Sequence, residues 1–434
     1  MSAAKRTPLS GPEMVALSKR HTMTEWSAQA AANPIPIAHA KGSWFWTPEE
    51  EKFLDFNSQL MCTNIGHGDE RVLKAITDQA ALLAYANPFM ATEPRARLGQ
   101  KLAEICPGDI DAFFFTNGGA EAVENAFRIA RLYTGRHKIA ARYRSYHGGT
   151  SGALSATGDP RRWFAEPGMP GIFRIPDFQD YGAAEPRPVA EVLAETEKII
   201  GFEGPQNVAA IIVEPVVGTN GILIPPDGYM QGLRDICDRH GILLIADEVM
   251  AGFGRTGKWF AIDHSGVVPD MITMAKGLTN GAVPMGAVAA SDQVYNAFMQ
   301  GPEGAIELFH GYTYSAHPVA CAAGIATQEI YRKEGLFTRA SDMAPYWADG
   351  VHSLKGLPHV IDLRNLGLIG AVELDPIPGK PGLRGYNTFV RAFEQGLLLR
   401  VTGDIIAMSP PLIIEKQHID QVFGILGGVL KEPG

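Results

Sequence analysis

Three short segments of the chain carry groups that could together do chemistry on a small molecule. Asp247 stands at the end of a run of apolar residues, and Lys276 follows the next such run. A lysine amine can bond covalently to a carbonyl carbon, and a carboxylate can stabilise a proton on a nearby nitrogen. In the third segment, Gly118 and Gly119 precede a helix-like stretch, and backbone amides at such a point can bind a phosphate group.

These segments lie in a region where apolar runs typical of buried strands alternate with helix-like stretches. The runs predicted as strands are Ala112–Thr116, Lys138–Tyr143, Val208–Val216, Ile242–Val249, Met271–Ala275 and Gly286–Ala290. Between them, Glu121–Tyr133 and Tyr229–His240 place apolar residues on one helical face. This alternation predicts an α/β fold with a mostly parallel sheet and helices on both faces. In such folds, ligands bind at the edge formed by the carboxyl ends of the strands.

Asp247, Lys276 and the glycine loop are therefore expected at one sheet edge, and this combination matches the needs of pyridoxal phosphate (PLP). PLP requires an amine, an acid that keeps its ring nitrogen protonated and an anion site. The protonated ring stabilises the carbanion that forms when a substrate loses its α-proton. Each feature alone has a plainer interpretation: the acid can be a helix N-cap or a solvated strand end, and the glycines can form an ordinary tight turn.

Other motifs resemble nucleotide-binding or hydrolase signatures but lack an essential part. Gly252–Gly257 has GxGxxG spacing, yet neither an amphipathic helix nor a strand-end acid about twenty residues later follows it. If the segment is interpreted as a phosphate loop ending at Lys258, Trp259 stands where serine or threonine must bind magnesium. The segment from His147 to Gly149 resembles an esterase oxyanion loop, but no GxSxG nucleophile motif occurs. The twelve histidines show no HExxH spacing, so no metal site is predicted.

The composition is that of a globular protein with an acidic balance. Of the 434 residues, 46% are hydrophobic and 20% are charged, and the net charge is −9 at pH 7. This acidity argues against nucleic acid or an anionic membrane surface as the main partner. We expect no transmembrane segment and no signal peptide, because long apolar stretches are absent and the N-terminus is polar. The four cysteines form no CxxC pair, which favours a reducing, cytoplasmic location.

The C-terminal part of the chain has a different character. Helix-like segments at Leu336–Leu354, Tyr386–Gln395 and Gln417–Leu430 surround β-like runs at Val360–Leu363, Leu368–Leu374, Leu397–Val401 and Ile405–Met408. This mixture predicts a smaller α+β domain. The expected division of the chain is residues 1–65 as an N-terminal segment joining the small domain, 66–330 as the large cofactor-binding domain and 331–434 as the C-terminal small domain.

The order and spacing of these motifs resemble the class III aminotransferases, which have the type I fold of PLP enzymes with its seven-stranded sheet. The similarity extends roughly from Gly42 to the C-terminus. The motifs that carry it are Phe114–Arg131, Tyr146-His147-Gly148, Glu214-Pro215-Val216, Ala246–Gly257, Lys276-Gly277 and His310–Pro318. The resemblance implies a ping-pong transfer of an amino group by a homodimer, or a tetramer, with shared active sites.

By this resemblance, Lys276 and Asp247 are the catalytic residues. Lys276 holds PLP as a Schiff base and then moves the substrate's proton, and Asp247 pairs with the pyridine nitrogen. Val249 is expected against one face of the ring, and Tyr146 against the other. The remaining residues expected near the ring are His147 and Glu214, of which Glu214 lies on the side of the ring oxygen.

The resemblance also implies a phosphate site. Gly118, Gly119 and Ala120 form the binding loop, and Thr313 is expected to reach the phosphate of the other subunit, which makes the dimer obligatory. Many relatives have serine at the position of Gly118, and some have serine or threonine at the position of Ala120. Because both hydroxyls are missing here, we expect the phosphate to bind to backbone amides and Thr313.

Several positions resemble the branch of the family that acts on ω-amino acids, amines or taurine with pyruvate. Met250 stands where ornithine and 4-aminobutyrate enzymes usually have glutamine. Arg400 lies in a motif similar to that branch and is expected to bind substrate carboxylates, although an arginine on a β-run can also be a surface residue. Met61 and Trp26 are expected in the substrate pocket. The implied donor resembles β-alanine, taurine, 4-aminobutyrate or a simple amine, and the implied acceptor is a 2-oxo acid, with pyruvate favoured.

Two other classes of function compete with an aminotransferase. A PLP-dependent decarboxylase, aminomutase or racemase on the same fold shares Lys276 and Asp247, so these residues do not separate the possibilities. A non-catalytic ligand sensor predicts loss of the lysine or an added DNA-binding module. Lys276 is present and no basic recognition helix is appended, so an enzyme is favoured.

Overall fold

The computed structural model describes residues 7–183 and 185–432. Within these residues the helices are α1 (Gly11–His21), α2 (Ser58–Met61), α3 (Glu70–Leu82), α4 (Glu93–Ala103), α5 (Gly119–Thr134), α6 (Ser151–Ala156), α7 (Val189–Glu203), α8 (Tyr229–His240), α9 (Asp292–Ala297), α10 (Pro318–Lys333), α11 (Leu336–His352), α12 (Leu383–Glu394) and α13 (Lys416–Lys431). None of the helices in this part of the chain is long and apolar enough to cross a membrane.

The strands of the same residues belong to three sheets. In chain order they are β1 (His39–Lys41), β2 (Trp44–Trp46), β3 (Lys52–Asp55), β4 (Ile110–Thr116), β5 (Lys138–Arg142), β6 (Ile172–Ile175), β7 (Val208–Val213), β8 (Leu243–Asp247), β9 (Met271–Met274), β10 (Gly286–Ser291), β11 (Val360–Leu366), β12 (Ile369–Leu374), β13 (Leu397–Leu398), β14 (Arg400–Thr402) and β15 (Ile405–Met408).

The largest sheet has seven strands in the order β4-β10-β9-β8-β7-β5-β6. Strands β9, β8, β7, β5 and β6 are parallel, and β10 runs antiparallel to both of its neighbours. Every residue of β7 and β8 is buried, as expected for strands covered on both faces. The predicted α/β fold with a mostly parallel sheet is confirmed.

The two faces of this sheet pack against different helices. In β8, Leu244 belongs to the same apolar cluster as Leu233 of α8. The next residue, Ile245, belongs to a second cluster with Phe127 of α5. Because successive strand residues point to opposite faces, α5 and α8 lie on opposite sides of the sheet.

The two smaller sheets connect the ends of the chain. In the sheet β1-β2-β3-β13, Leu397 of β13 pairs in parallel with Leu54 of β3, so N-terminal and C-terminal segments share one sheet. The third sheet is antiparallel, with the order β11-β12-β15-β14. The pairing of β3 with β13 agrees with the expectation that the N-terminal segment joins the C-terminal domain. The domain boundaries at residues 65 and 330 stay a prediction.

Several strands differ from the predictions. β7 ends at Val213 instead of Val216, because the next residue, Glu214, turns its carboxylate to backbone amides outside the sheet. The predicted run Leu397–Val401 is split between two sheets, as β13 and β14. Strand β6 was not predicted, because it is short, lies at the sheet edge and contains Arg174.

Candidate active site

A cavity of about 400 Å³ lies at the edge of the seven-stranded sheet where β4, β8 and β9 end. β8 and β9 are adjacent and parallel, with Asp247 opposite Thr273, so the acid and the lysine that follows β9 reach the same edge. Of the residues predicted for the site, all except Thr313 line this cavity: Trp26, Met61, Gly118, Gly119, Ala120, Tyr146, His147, Glu214, Asp247, Val249, Lys276 and Arg400.

Asp247, the last residue of β8, is buried and held by three hydrogen-bond donors. Its Oδ2 accepts from Nδ1 of His147 at 2.7 Å. Its Oδ1 accepts from the hydroxyl of Thr273 and from the backbone N–H of Val249, both at 3.1 Å. Because a carboxylate only accepts, His147 carries its proton on Nδ1. Its Nε2 is buried and has no hydrogen-bond partner among the described residues.

Lys276, separated from the end of β9 by one residue, opens a short 3-10 turn and has a φ of 48°. Its side chain lines the cavity and forms no hydrogen bond or ion pair with the residues that the structure describes. Burial lowers the pKa of the Lys276 amine from its ordinary value, and the positive charge of Arg400 acts in the same direction. A lowered pKa favours the neutral amine, which is the nucleophilic form.

The glycine loop joins β4 to the N-terminus of the 16-residue helix α5. A Cβ on Gly119 would lie 2.7 Å from the Val249 side chain, so only glycine fits here, whereas a Cβ on Gly118 would meet open space. The loop is braced by Glu121, whose carboxylate accepts from the Asn117 backbone at 2.8 Å. Free backbone amides and the helix dipole at this end of α5 favour a negatively charged group.

Tyr146 and Glu214 form a connected wall of the cavity. Glu214 Oε1 accepts from the backbone N–H of Tyr146 at 2.9 Å, and Oε2 accepts from Gly218 at 2.8 Å. Burial raises the pKa of the Glu214 carboxyl and of the Tyr146 phenol. The guanidinium of Arg161 lies over one face of the Tyr146 ring, centred 4.1 Å from the ring centroid.

Two arginines face the cavity. Arg400, the first residue of β14, forms no ion pair with a carboxylate of the described residues, and its Nε is buried without a partner. Burial lowers the pKa of Arg400, and Arg161 lowers it further. Arg161 is itself paired with Asp159, to which its Nε donates at 2.9 and 3.0 Å. An anion bound between the arginines would relieve their repulsion.

Arg161 was not predicted from the sequence, since it lies in no motif and follows the predicted Tyr146 by fifteen positions. The wall formed by Leu60 and Cys62, beside the predicted Met61, was also missed. Its position depends on an unusual backbone conformation, for which these residue types give no signal.

Two predicted residues lie at or beyond the mouth of the cavity. Trp26 is 69% exposed, has a φ of 51° and lines the opening. Thr313 is exposed and does not line the cavity of its own chain, and its carbonyl accepts from the Tyr85 hydroxyl at 3.0 Å. The predicted contact of Thr313 with a second subunit stays a prediction.

The chain has a seven-stranded sheet with a lysine and an acid at the ends of adjacent strands and a helix N-terminus on the same edge. This arrangement defines the type I fold of PLP-dependent enzymes. Known proteins identify the family within this class. The profile of the family "Aminotransferase class-III" matches residues 26–430.

Individual relatives cover nearly the whole chain. An ω-aminotransferase of Caulobacter vibrioides is 46% identical over 411 residues, covering 92% of this chain and 94% of that protein. A β-alanine–pyruvate aminotransferase of Pseudomonas aeruginosa is 38% identical over 416 residues, covering 92% of both. The crystal structure of taurine:2-oxoglutarate aminotransferase from Bifidobacterium kashiwanohense, in complex with PLP and glutamate, has a TM-score of 0.91 and 36% identity, covering 98% of both chains.

This chain therefore belongs to the class III aminotransferases, a PLP-dependent family, and is a transaminase. The family predicted from the motifs is confirmed.

Proposed function

We propose that this enzyme transfers the amino group of an ω-amino acid or an amine to a 2-oxo acid, preferably pyruvate, using PLP bound in the cavity beside Lys276. The observation that carries the proposal is that Lys276, Asp247 and Arg400 line one cavity, with the guanidinium of Arg400 free of any ion pair among the described residues. The cavity thereby combines a covalent anchor (Lys276), a partner for a ring nitrogen (Asp247) and a group that binds a carboxylate (Arg400).

The groups around the cavity fit PLP in both chemistry and position. PLP supplies a ring that withdraws electrons from the substrate carbon next to the nitrogen. The neutral amine of Lys276 serves as covalent anchor and then as the base that moves the substrate proton. Asp247, fixed by His147, keeps the ring nitrogen protonated. The amides of residues 118–120 bind the phosphate, with Thr313 contributed by the partner subunit.

The side walls of the cavity orient the ring. Val249 lies against Gly119 of the glycine loop, and its side chain is proposed to contact one face of the ring. Tyr146 also lines the cavity, and its backbone N–H donates to Glu214; its ring is proposed to contact the other face. Glu214 is proposed to lie on the side of the ring oxygen, where its raised pKa suits a hydrogen-bonding acid.

Arg400 selects the substrates. A 2-oxo acid brings a carboxylate next to the reacting carbon, and a guanidinium without its own carboxylate partner can bind it bidentately. An ω-amino acid carries its acid group farther from the nitrogen, where Arg161 adds positive charge. Met61 and Trp26 are proposed as apolar walls that contact the carbon skeleton of the donor. The relatives named for ω-amino acids and β-alanine with pyruvate support this assignment.

2-Oxoglutarate is a second candidate acceptor. The related taurine enzyme is named for 2-oxoglutarate and was crystallised with glutamate, which has two carboxylates. The two arginines that face the cavity could bind one carboxylate each.

The proposed assembly is a homodimer, with a tetramer as an alternative, and the proposed location is the cytoplasm. Thr313 lies outside the cavity of its own chain, as expected for a residue that serves a neighbour. All four cysteines are unpaired, which supports a reducing compartment. The proposed division into residues 1–65, 66–330 and 331–434 places the cofactor on the large domain.

A donor screen tests the proposal. The PLP-loaded enzyme is mixed with β-alanine, taurine, 4-aminobutyrate and 1-phenylethylamine, and cofactor absorbance is followed before and after pyruvate or 2-oxoglutarate is added. We expect bleaching by at least one of these donors and recovery with pyruvate, with alanine formed in equal amount. Release of carbon dioxide or racemised product without consumption of the 2-oxo acid would instead assign another PLP reaction.

A further inference from the structure

Four consecutive residues at the wall of the cavity have a backbone conformation that L-amino acids rarely adopt. Ser58, Gln59, Leu60 and Met61 have φ values of 47°, 47°, 63° and 66°, so α2 is a left-handed turn. None of them is glycine, and left-handed residues normally occur singly. A run of this kind persists only where the surrounding contacts hold it.

Several contacts hold the turn. The hydroxyl of Ser58 donates to the carbonyl of Ser409 at 2.5 Å, and a second group of contacts converges on the buried carboxylate of Asp55, at the end of β3. Its Oδ1 accepts from the backbone N–H groups of Asn57 at 3.1 Å and Gln59 at 3.4 Å. Its Oδ2 accepts from the Gln59 side-chain amide at 3.2 Å and from Nε2 of His67 at 2.8 Å. The carboxylate of Asp55 thus fixes Asn57, directly before the turn, and Gln59, within it.

The segment that directly follows the turn is tied to the loop that carries the active-site lysine. Asn280, four positions after that lysine, accepts from the backbone of Ile65 at 2.9 Å and donates to the carbonyl of Gly66 at 2.8 Å. A Cβ on Gly281 would come within 2.9 Å of the Cys62 side chain, so the two segments are in close contact. Movement of the turn would therefore change the space beside the reacting amine.

The left-handed conformation determines which side chains reach the cavity. Leu60, Met61 and Cys62 all line it, although they are consecutive in sequence. In an extended chain, adjacent side chains would point to opposite sides. The turn brings three neighbours to one wall, with Met61 buried and Leu60 39% exposed.

We propose that Asp55 is a positioning residue that holds Ser58–Met61 in the left-handed turn, and that this turn determines which amino donors the cavity admits. The inference rests on the proposed function, because it takes the donor to bind in the cavity beside Lys276. Asp55 does not line the cavity and acts only through the turn.

A matched pair of variants tests the conformation itself. Gln59→Gly and Gln59→Val both remove the side-chain bond to Asp55, but glycine accepts a left-handed backbone whereas a β-branched residue resists it. Gln59 does not line the cavity, so neither change alters the wall directly. We expect amide hydrogen exchange in a peptide spanning residues 57–64 to be about tenfold faster in the valine variant.

The same pair tests the link to specificity. The ratio of kcat/KM for β-alanine to that for 1-phenylethylamine is expected to differ by about fivefold or more between the variants, mainly through KM. Equal exchange rates in the two variants would show that the left-handed turn is not held as proposed. Different exchange rates with an unchanged donor ratio would show that the turn does not select donors. Either result overturns the inference.

A second pair isolates Asp55. Asp55→Ala is expected to raise exchange in residues 57–64 and to shift the donor ratio, and Asp55→Asn to restore most of both, because an amide oxygen still accepts from the backbone. Asp69→Ala serves as control, since Asp69 caps α3 through a backbone N–H at 2.9 Å without touching the turn. It is expected to lower Tm without changing the donor ratio, and an equal effect of both alanine variants contradicts the role of Asp55.

Exchange is measured on protein without cofactor or substrate, so it reports on the turn whatever reaction the enzyme catalyses. A wild-type enzyme that transaminates none of the donors would refute the proposed function, whereas active variants with wild-type donor ratios would refute only this inference.

Discussion

At the residue scale, the carboxylate of Asp247 receives hydrogen bonds from three different structural elements. His147 comes from the loop after β5, Thr273 from β9 and Val249 from the chain directly after β8. Donors from fixed elements restrict the orientation of the carboxylate before any ligand binds, which is the arrangement that preorganised active sites require.

Two substitutions separate the charge of Asp247 from its orientation. Asp247→Asn keeps the shape but not the charge, and single-turnover transamination is expected to fall by about a hundredfold or more. Thr273→Val removes one donor and leaves the charge, and a loss of about three- to tenfold is expected. Stopped-flow absorbance of the loaded enzyme measures both rates. If Asp247→Asn reacts as fast as wild type, Asp247 is not the partner of the ring nitrogen.

Arg400 gives a prediction that distinguishes classes of substrate. Arg400→Ala is expected to reduce kcat/KM for pyruvate by on the order of a hundredfold or more, because a buried charge-assisted pair is lost. The half-reaction with an uncharged amine should change far less. Arg400→Lys should not restore pyruvate use, since a point charge lacks the planar fork of the guanidinium. Equal losses with charged and uncharged substrates in stopped flow would make Arg400 a structural residue.

At the scale of the elements, Glu248 connects the end of β8 to the 3-10 turn Ala261–His264. Its carboxyl is fully buried and accepts from the backbone N–H groups of Ala261 at 3.0 Å and Ile262 at 2.7 Å. Burial raises the pKa of Glu248 to about 8, so its neutral form is favoured in the folded protein.

The sign of the resulting pH dependence follows from that shift. Since the pKa in the folded state, about 8, exceeds the ordinary value of 4.5, folding binds a proton between these limits, and stability falls as pH rises through this window. Glu248→Gln has no such titration. Its Tm relative to wild type is therefore expected to rise from pH 5 to pH 9. A constant difference in Tm over this range would mean that the buried carboxyl does not titrate as inferred.

The sequence predicted the elements of the central sheet well because buried parallel strands are almost entirely apolar. The end of each apolar run also indicated the carboxyl end of a strand, and this placed Asp247 and Lys276 at the sheet edge. The edge strand β6, with Arg174 in its middle, lacks that pattern. Arg161 could not be predicted, because its role depends on contacts between segments that are distant in sequence. The left-handed turn could not be predicted either, because it contains no glycine to indicate its backbone conformation.

At the scale of the whole molecule, exposed apolar side chains occur near the segment that contains Thr313. Leu82 is 81% exposed, Phe89 is 94% exposed and Phe309 is 85% exposed. The ring of Tyr85 lies 5.9 Å from that of Tyr314, which brings the two segments together. Apolar surface of this kind is typical of a subunit interface.

Phe89→Asp tests whether this surface forms the dimer. The variant is expected to elute as a monomer in size-exclusion chromatography with light scattering, and to bind PLP at least about tenfold more weakly, because the proposed contribution of the partner's Thr313 is lost. Phe202→Asp is the matched control, as Phe202 is 80% exposed at the end of α7. A monomeric Phe89→Asp protein with wild-type affinity for PLP would contradict shared active sites.

The central claim, that Lys276 anchors PLP, is tested most directly by reducing the purified enzyme with borohydride and mapping its peptides by mass spectrometry. We expect the yellow absorbance to disappear and a pyridoxyl-phosphate adduct to be found on the peptide that contains Lys276. Lys276→Ala should carry no adduct and should have lost transamination. An adduct on another lysine, or wild-type turnover by Lys276→Ala, would contradict the account.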